Sequence, residues 1–205
     1  MALRQPGTRN RRKLRAVVIG ASAGGINALR KLLRGLAADF RPPVIIVLHS
    51  ASSDHSSLAA SFSQICALPV SEAAERSRVE PRHVYLAPPG YHLLVERHEQ
   101  KDRFALSVDD RVCFVRPAVD VLFESAADLW RAGVVGVVLT GANDDGARGA
   151  AAIRASKGRV IVQSPEEAES PEMPAAALRI AGADHVLKLA QIAPLLNSYS
   201  DGTAK

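Results

Sequence analysis

Residues 16–36 read AVVIGASAGGINALRKLLRGL, and this stretch sets the arrangement of the rest of the chain. Ala16–Gly20 is a short apolar run rich in β-branched residues, which predicts a buried strand. From Gly25 onward Ile26, Leu29, Leu32, Leu33 and Leu36 recur at helical spacing, which predicts a helix. Between the two lies Gly20-Ala21-Ser22-Ala23-Gly24-Gly25, in which Gly20, Ser22 and Gly24 fit G-x-S-x-G, a serine raised on a sharp strand-to-helix turn. So tight a turn crowds the neighbours of the serine, and glycine supplies the backbone angles it needs. Three readings are open at this point: a nucleophilic serine, a phosphate-binding loop at a helix N-terminus, or a packing turn with no chemistry.

The 205 residues suffice for one large α/β domain, and 47% hydrophobic with 23% charged content is that of a globular protein with an aliphatic core, aromatics being only 4%. No apolar run reaches the ~20 residues a membrane span needs, and no apolar segment follows the basic N-terminus as in a secretory signal. Membrane insertion is therefore not expected. The two cysteines, Cys66 and Cys113, show no metal or redox spacing and are expected to be buried free thiols in a reducing compartment. The net charge of +5 comes from residues 1–15, which hold Arg4, Arg9, Arg11, Arg12, Lys13 and Arg15 and no acid; subtracting these six leaves −1. This segment is expected to be a disordered basic tail. A nucleic-acid role is not expected, because the remainder lacks interleaved basic and aromatic residues.

Further along, Val44–Leu48 is a second buried strand ending at His49, Ser50–Ser56 a polar loop, and Ser57–Cys66 a helix. A short strand near Val70 and another at His83–Ala87 follow, the latter stopped by Pro88-Pro89-Gly90. Tyr91–Glu96 and Arg103–Val108 alternate apolar with polar, as in an antiparallel hairpin. Ala118–Ala132 is a helix, Val134–Thr140 a buried strand running into Gly141-Ala142-Asn143-Asp144-Asp145-Gly146, and Ala147–Ala155 a helix of small residues. Arg159–Gln163 and His185–Leu187 read as strands, Met173–Ala181 and Ala190–Asn197 as helices. Strands alternating with helices predict a doubly wound, mostly parallel α/β sheet with helices on both faces and an attached antiparallel hairpin. Such sheets bind ligands beyond the carboxyl ends of their strands, near a switch in strand order.

Three strands deliver chemistry to that edge: Ser22 after the first, His49 at the end of the second, and Asp144 or Asp145 after Val134–Thr140. A serine, an imidazole to take its proton and a carboxylate to orient the imidazole form the set a nucleophilic hydrolase requires. Each also has a plain reading: Ser22 as a small turn residue, His49 as an ordinary strand-end histidine, and either aspartate as the N-cap of the helix after Gly146. The order Ser…His…Asp differs from the Ser…Asp…His of α/β-hydrolases. His92 is expected at the surface or in packing, and His55, His83, His98 and His185 show no metal spacing.

The segments IGASAGG, the strand ending in His49, YLAPPGYHLLV, RPAVDVLFESAA and VVLTGANDDGARG, in this order, resemble the catalytic domain of the chemotaxis protein-glutamate methylesterase (CheB-type) family from about Arg15 to about Leu196. The resemblance implies a cytoplasmic serine esterase that removes methyl groups from glutamate methyl esters on chemoreceptor helices, many members also deamidating receptor glutamines. Carried over by motif, Ser22 is the nucleophile, His49 the base and Asp145, which directly precedes the glycine of T-G-x-x-x-D-G, the orienting acid. By position, the backbone N–H groups of Ala23 and Ala142 would hold the oxyanion, and no cofactor or metal is implied. The implied organisation is a tail over 1–15, a catalytic domain over 16–197 and a C-terminal tail over 198–205. The family's usual receiver domain is absent from these 205 residues, so a separate response-regulator or chemosensory protein is an expected partner. The chain departs from the family's common residues at Ala23 (often threonine), at Leu48 and Ser50 (often glutamine and methionine) and at Ala142-Asn143 (usually Met-Gly). Those replacements raise an alternative, a non-catalytic interaction module that keeps the fold. A nucleotide binder is disfavoured, since no G-K-[ST] follows the turn and no acid ends the second strand.

Overall fold

A computed structural model describes residues 13–49 and 55–201. Its centre is a seven-stranded, all-parallel sheet built from β1 (Ala16–Ala21), β2 (Val44–Leu48), β3 (Val70–Glu72), β4 (Val84–Leu86), β7 (Val134–Val138), β8 (Arg159–Gln163) and β9 (His185–Leu187), in the order β3-β4-β2-β1-β7-β8-β9. The chain builds outward from β1 to one side, then returns to add β7, β8 and β9 on the other. The β1–β7 boundary is thus the switch point at which a ligand crevice is expected.

Strands β1, β2 and β7 are buried along their whole lengths, which is why they read as unbroken apolar runs. Strand periodicity divides β1 between two cores. Val17, Ile19 and Ala21 face one with Leu29, Leu32 and Leu33 of α1 (Gly25–Arg34), Phe62 of α2 (His55–Ser63) and Ile192 and Leu196 of α6 (Leu189–Ser200). Ala16 and Val18 face the other with α3 (Val119–Trp130), α4 (Ala147–Ala155) and α5 (Glu172–Ile180). The expected doubly wound α/β architecture is observed. Among the described residues no helix is long and apolar enough to cross a membrane.

The expected antiparallel hairpin is present: β5 (His92–His98) and β6 (Lys101–Ser107) form their own two-stranded sheet, packed on α3. Other sequence expectations need correction. Of the loop expected over Ser50–Ser56, residues 50–54 lie outside the described residues, and helix α2 already begins at His55. Ile26 is 38% exposed, so the buried stripe of α1 starts at Ala28. The cysteines are free as expected but only half-buried. Residues 1–12 of the expected tail lie outside the described residues, while its last three are built into the fold: Leu14 packs on the core and the Arg15 N–H donates to the Gly133 carbonyl at 2.7 Å. Likewise α6 continues into the expected C-terminal tail, because the Tyr199 hydroxyl meets His185 Nε2 at 2.8 Å and Arg159 lies over its ring.

Asp102 ties the hairpin to α3. Its carboxylate accepts from Trp130 Nε1 at 2.8 Å and from Arg97 at 2.7 and 2.9 Å, with Arg15 at 3.5 Å. Burial would raise this carboxyl, but the hydrogen bonds from Trp130 and Arg97 and the charges of Arg97 and Arg15 outweigh burial and hold it below the ordinary aspartate value. A carboxyl lowered by folding stabilises above its unfolded pKa and loses that contribution as pH falls through the folded value. Asp102→Ala is therefore expected to cost about 1–3 kcal/mol at pH 7, with the gap to wild type closing below about pH 4, as urea denaturation across pH will measure.

Candidate active site

The parallel register sets the site. Ala21 of β1 pairs with Leu48 of β2, and the His49 N–H donates to the Ala21 carbonyl at 2.9 Å, so the residues that follow these strands emerge side by side. On the other side the Ser22 N–H donates to the Thr140 carbonyl at 2.9 Å, continuing the β1–β7 pairing. Ser22 is thus held between the ends of β2 and β7, at the switch point.

The glycines of the turn have specific neighbours. A Cβ on Gly20 would lie 2.3 Å from Val119 Cγ1, and one on Gly25 would lie 2.6 Å from Leu48 Cδ1. Gly24, the N-cap of α1, has φ +74°, and a Cβ there would meet the Glu169 side chain at 2.7 Å. Gly141, after β7, abuts the serine itself: its Cβ would come 2.8 Å from Ser22 Cβ. Ser22, Ala23, Gly24, Gly25, Ile26, Asn27, His49 and Glu169 line an open cavity of about 410 Å³.

His49 and Asp145 meet behind the serine. Nε2 of His49 lies 2.9 Å from Asp145 Oδ2, with side-chain exposures of 10% and 0%. The distance is that of a bonded pair, but the ring N–H is not aimed along it, so neither ring nitrogen completes a hydrogen bond. Catalytic hydrogen bonds are often poorly aligned in the absence of substrate and tighten when it binds. The Asp145 carboxylate also accepts from two backbone donors at the start of α3: Val119 N–H on Oδ2 at 2.6 Å and Asp120 N–H on Oδ1 at 2.9 Å. The N-cap reading is thereby corrected. The helix after the loop is capped by Gly146 at φ +94°, without a side-chain hydrogen bond, while Asp145 reaches across to the N-terminus of a different helix.

The surrounding polar groups are nearly all spoken for. Thr140 Oγ1 donates toward the carbonyls of Ala23 at 2.9 Å and Ser170 at 3.3 Å and accepts the Ser170 N–H at 2.8 Å, tying the serine turn to the 164–171 loop. Buried Gln163 accepts the Thr140 N–H at 2.9 Å. Asp120 is 1% exposed and accepts from Gly149 N–H at 2.8 Å and Arg148 Nε at 3.1 Å. Burial raises its carboxyl, against the pull of the Gly149 N–H and with the Asp145 charge adding to the rise. Cys113, Asp120 and Asp145 offer ligand atoms within 4.8 Å of one another. They are poorly suited to a metal. Both carboxylates already have their partners, and burial and the Asp145, Asp144 and Asp120 charges push the thiol up to about 11, leaving it protonated at neutral pH.

The comparisons with known proteins agree with this geometry. The sequence profile of the CheB methylesterase family matches residues 17–196. The chain belongs to the CheB methylesterase family. A Leptospira interrogans protein described as a candidate protein-glutamate methylesterase/protein-glutamine glutaminase is 41% identical over 180 residues, 88% of this chain and 92% of that protein. Protein-glutamate methylesterase/protein-glutamine glutaminase 5 of Anaeromyxobacter dehalogenans is 40% identical over 89% of this chain, which spans 50% of that longer protein. The crystal structure of the Thermotoga maritima CheB methylesterase catalytic domain superposes with a TM-score of 0.88 at 32% identity, covering 91% of this chain and 98% of that one.

Of the sequence candidates, Ser22 and His49 share the cavity and Asp145 supports His49 from below it. His92 is buried at 1% exposure, which settles its two expected places, surface or packing, in favour of packing. Asp120, Gln163 and Glu169 were not singled out in the sequence. Gln163 carried a usable signal, a polar residue ending an apolar strand at the same sheet edge. Asp145→Asn is expected to leave His49 without its anionic partner and to turn an amide N–H₂ toward a backbone donor of α3. The predicted result is a loss of about 10³–10⁴-fold in kcat with about 1–3 kcal/mol of stability, read by esterase kinetics and thermal melts.

Proposed function

We propose that this chain is a serine esterase acting on glutamate methyl esters of chemoreceptor cytoplasmic helices, and also on receptor glutamines. The observation that carries the proposal is the 2.9 Å contact between His49 and the buried Asp145 carboxylate beside the cavity that holds Ser22. With Nε2 facing Asp145, Nδ1 is the nitrogen left to serve Ser22. His49 takes the hydroxyl proton as Ser22 Oγ attacks the ester carbonyl, and Asp145 keeps the ring in the required tautomer and stabilises its charged form. The backbone N–H groups of Ala23 and Ala142 receive the oxyanion. Neither donates elsewhere among the described residues, and Ala142 follows Gly141, which packs against Ser22. His49 then returns its proton to the leaving methanol. It next activates the water that cleaves the acyl-enzyme to free glutamate and serine. From a glutamine, ammonia leaves in place of methanol.

The catalytic unit runs from Leu14 to the end of α6 at Ser200, its partners are methylated receptor helices, and its site of action is the cytoplasm. The open rim, with half-exposed Ile26 and the Asn27 amide, suits a side chain presented on a protein surface. Methanol release from methylated receptor fragments is expected from the wild type and should fall by about 10⁴-fold or more in Ser22→Ala. Absence of Ser22-dependent release from every methylated receptor tried would overturn the proposal. A fluorophosphonate probe separates a weakened enzyme from an interaction module: labelling of Ser22 that disappears in His49→Ala marks the enzyme.

A further inference from the structure

The N-terminus of α3 presents three consecutive backbone N–H groups, from Ala118, Val119 and Asp120. Such donors have no partner within their own helix, and the N-cap, Ala118, has no side chain able to cap them. Two are taken by the Asp145 carboxylate. The third, Ala118 N–H, is taken by His92 Nδ1 at 3.2 Å, while His92 Nε2 lies 3.0 Å from the Asp110 carbonyl oxygen. A carbonyl can only accept and an N–H can only donate. The His92 ring is therefore the tautomer with its proton on Nε2.

We infer that His92 is a positioning residue for Asp145: by accepting from Ala118 and donating to Asp110 it fixes the first turn of α3, whose next two N–H groups set the orientation of the Asp145 carboxylate beneath His49. The inference rests on the reading of Asp145 as the orienting acid. Packing makes the coupling tight. Val119, one residue beyond the His92 contact, fills the space that a Cβ on Gly20 or on Gly146 would occupy, at 2.3 and 2.7 Å. The first turn of α3 is thus wedged between the serine turn and the Asp145 loop, and a shift there moves both. His92 contributes no atom to the cavity, so its loss should alter turnover and spare substrate capture.

The experiment uses the full chain with three variants at one site. His92→Leu fills the ring's space without an acceptor and is expected to lower kcat about 10–100-fold with KM within about twofold, and to slow fluorophosphonate labelling of Ser22 by a similar factor. His92→Asn places its Oδ1 where Nδ1 accepts and should recover most of both rates, whereas His92→Ser, too short to reach, should not. In the wild type, ¹⁵N shifts of the His92 ring should show Nε2 carrying the proton, a readout independent of whether any variant folds. The inference falls if His92→Leu keeps wild-type rates, if its loss lies in KM alone, if His92→Asn restores the melting temperature but not kcat, or if the ring carries its proton on Nδ1. A wild type that labels normally while His92→Leu labels equally fast sinks this inference alone. A wild type whose Ser22 never labels sinks the triad reading, and this inference with it.

Discussion

A fully buried aspartate is costly to a fold unless its charge is met, and the carboxylate of Asp145 is met from two directions at once. The first turn of α3 gives it two N–H donors and the positive end of a helix dipole. The imidazole of His49 lies 2.9 Å from the same oxygen that accepts from Val119. Without the α3 donors the buried carboxylate would keep only the His49 contact. Three elements far apart in sequence, β2, the loop after β7, and α3, thus converge on one point. The two hydrogen bonds from α3 come from backbone donors, which have no rotamer to explore and so fix the orientation of the carboxylate.

The close approach that this requires is made possible by small residues. Val119 occupies the volume beside both Gly20 and Gly146, and Phe123 Cβ lies 2.5 Å from where a Cβ on Gly149 would stand. The helix ARGAAAIRA therefore lies low against α3, and the Asp120 carboxylate seals the contact through Gly149 and Arg148. The composition of α4 is thus dictated by the distance at which Asp145 must sit from α3. Larger residues on that face would lift α4 away and withdraw the loop that carries the aspartate.

The fold was legible because β1, β2 and β7 are buried on both faces and so carry no polar residue, and because Gly24 marks the start of α1 and Pro88-Pro89-Gly90 the end of β4. Ser22, His49 and Asp145 were legible as residue types at strand ends, since in a parallel sheet all those ends lie on one edge. That Asp145 also satisfies the start of α3 was not legible. An aspartate just before a helix looks like its cap, and only the tertiary placement of α3 shows it satisfying a helix 26 residues earlier in the chain. For His92 the sequence left surface and packing both open, and only the contacts with Asp110 and the start of α3 decide for packing. The extent of α6 and the anchoring of Arg15 likewise depend on partners, Tyr199 with His185 and Arg15 with Gly133, that no local pattern encodes.

The departures from common family residues spare the bracing of the site. A backbone N–H is the same whatever side chain its residue carries, so alanine at 23 and 142 leaves the groups proposed for the oxyanion unaltered in kind. The turn that carries Ala23 is still braced, because Thr140 Oγ1 holds the Ala23 carbonyl and the 164–171 loop together. Asn143 adds a contact that the glycine usual at this position cannot make: its Oδ1 accepts the Asp145 N–H at 3.2 Å, a local turn that pins the backbone of the aspartate. The α3 N–H donors and the Asn143 side chain hold Asp145 in place whatever chemistry follows, so this brace serves the fold as well as any proton that His49 takes.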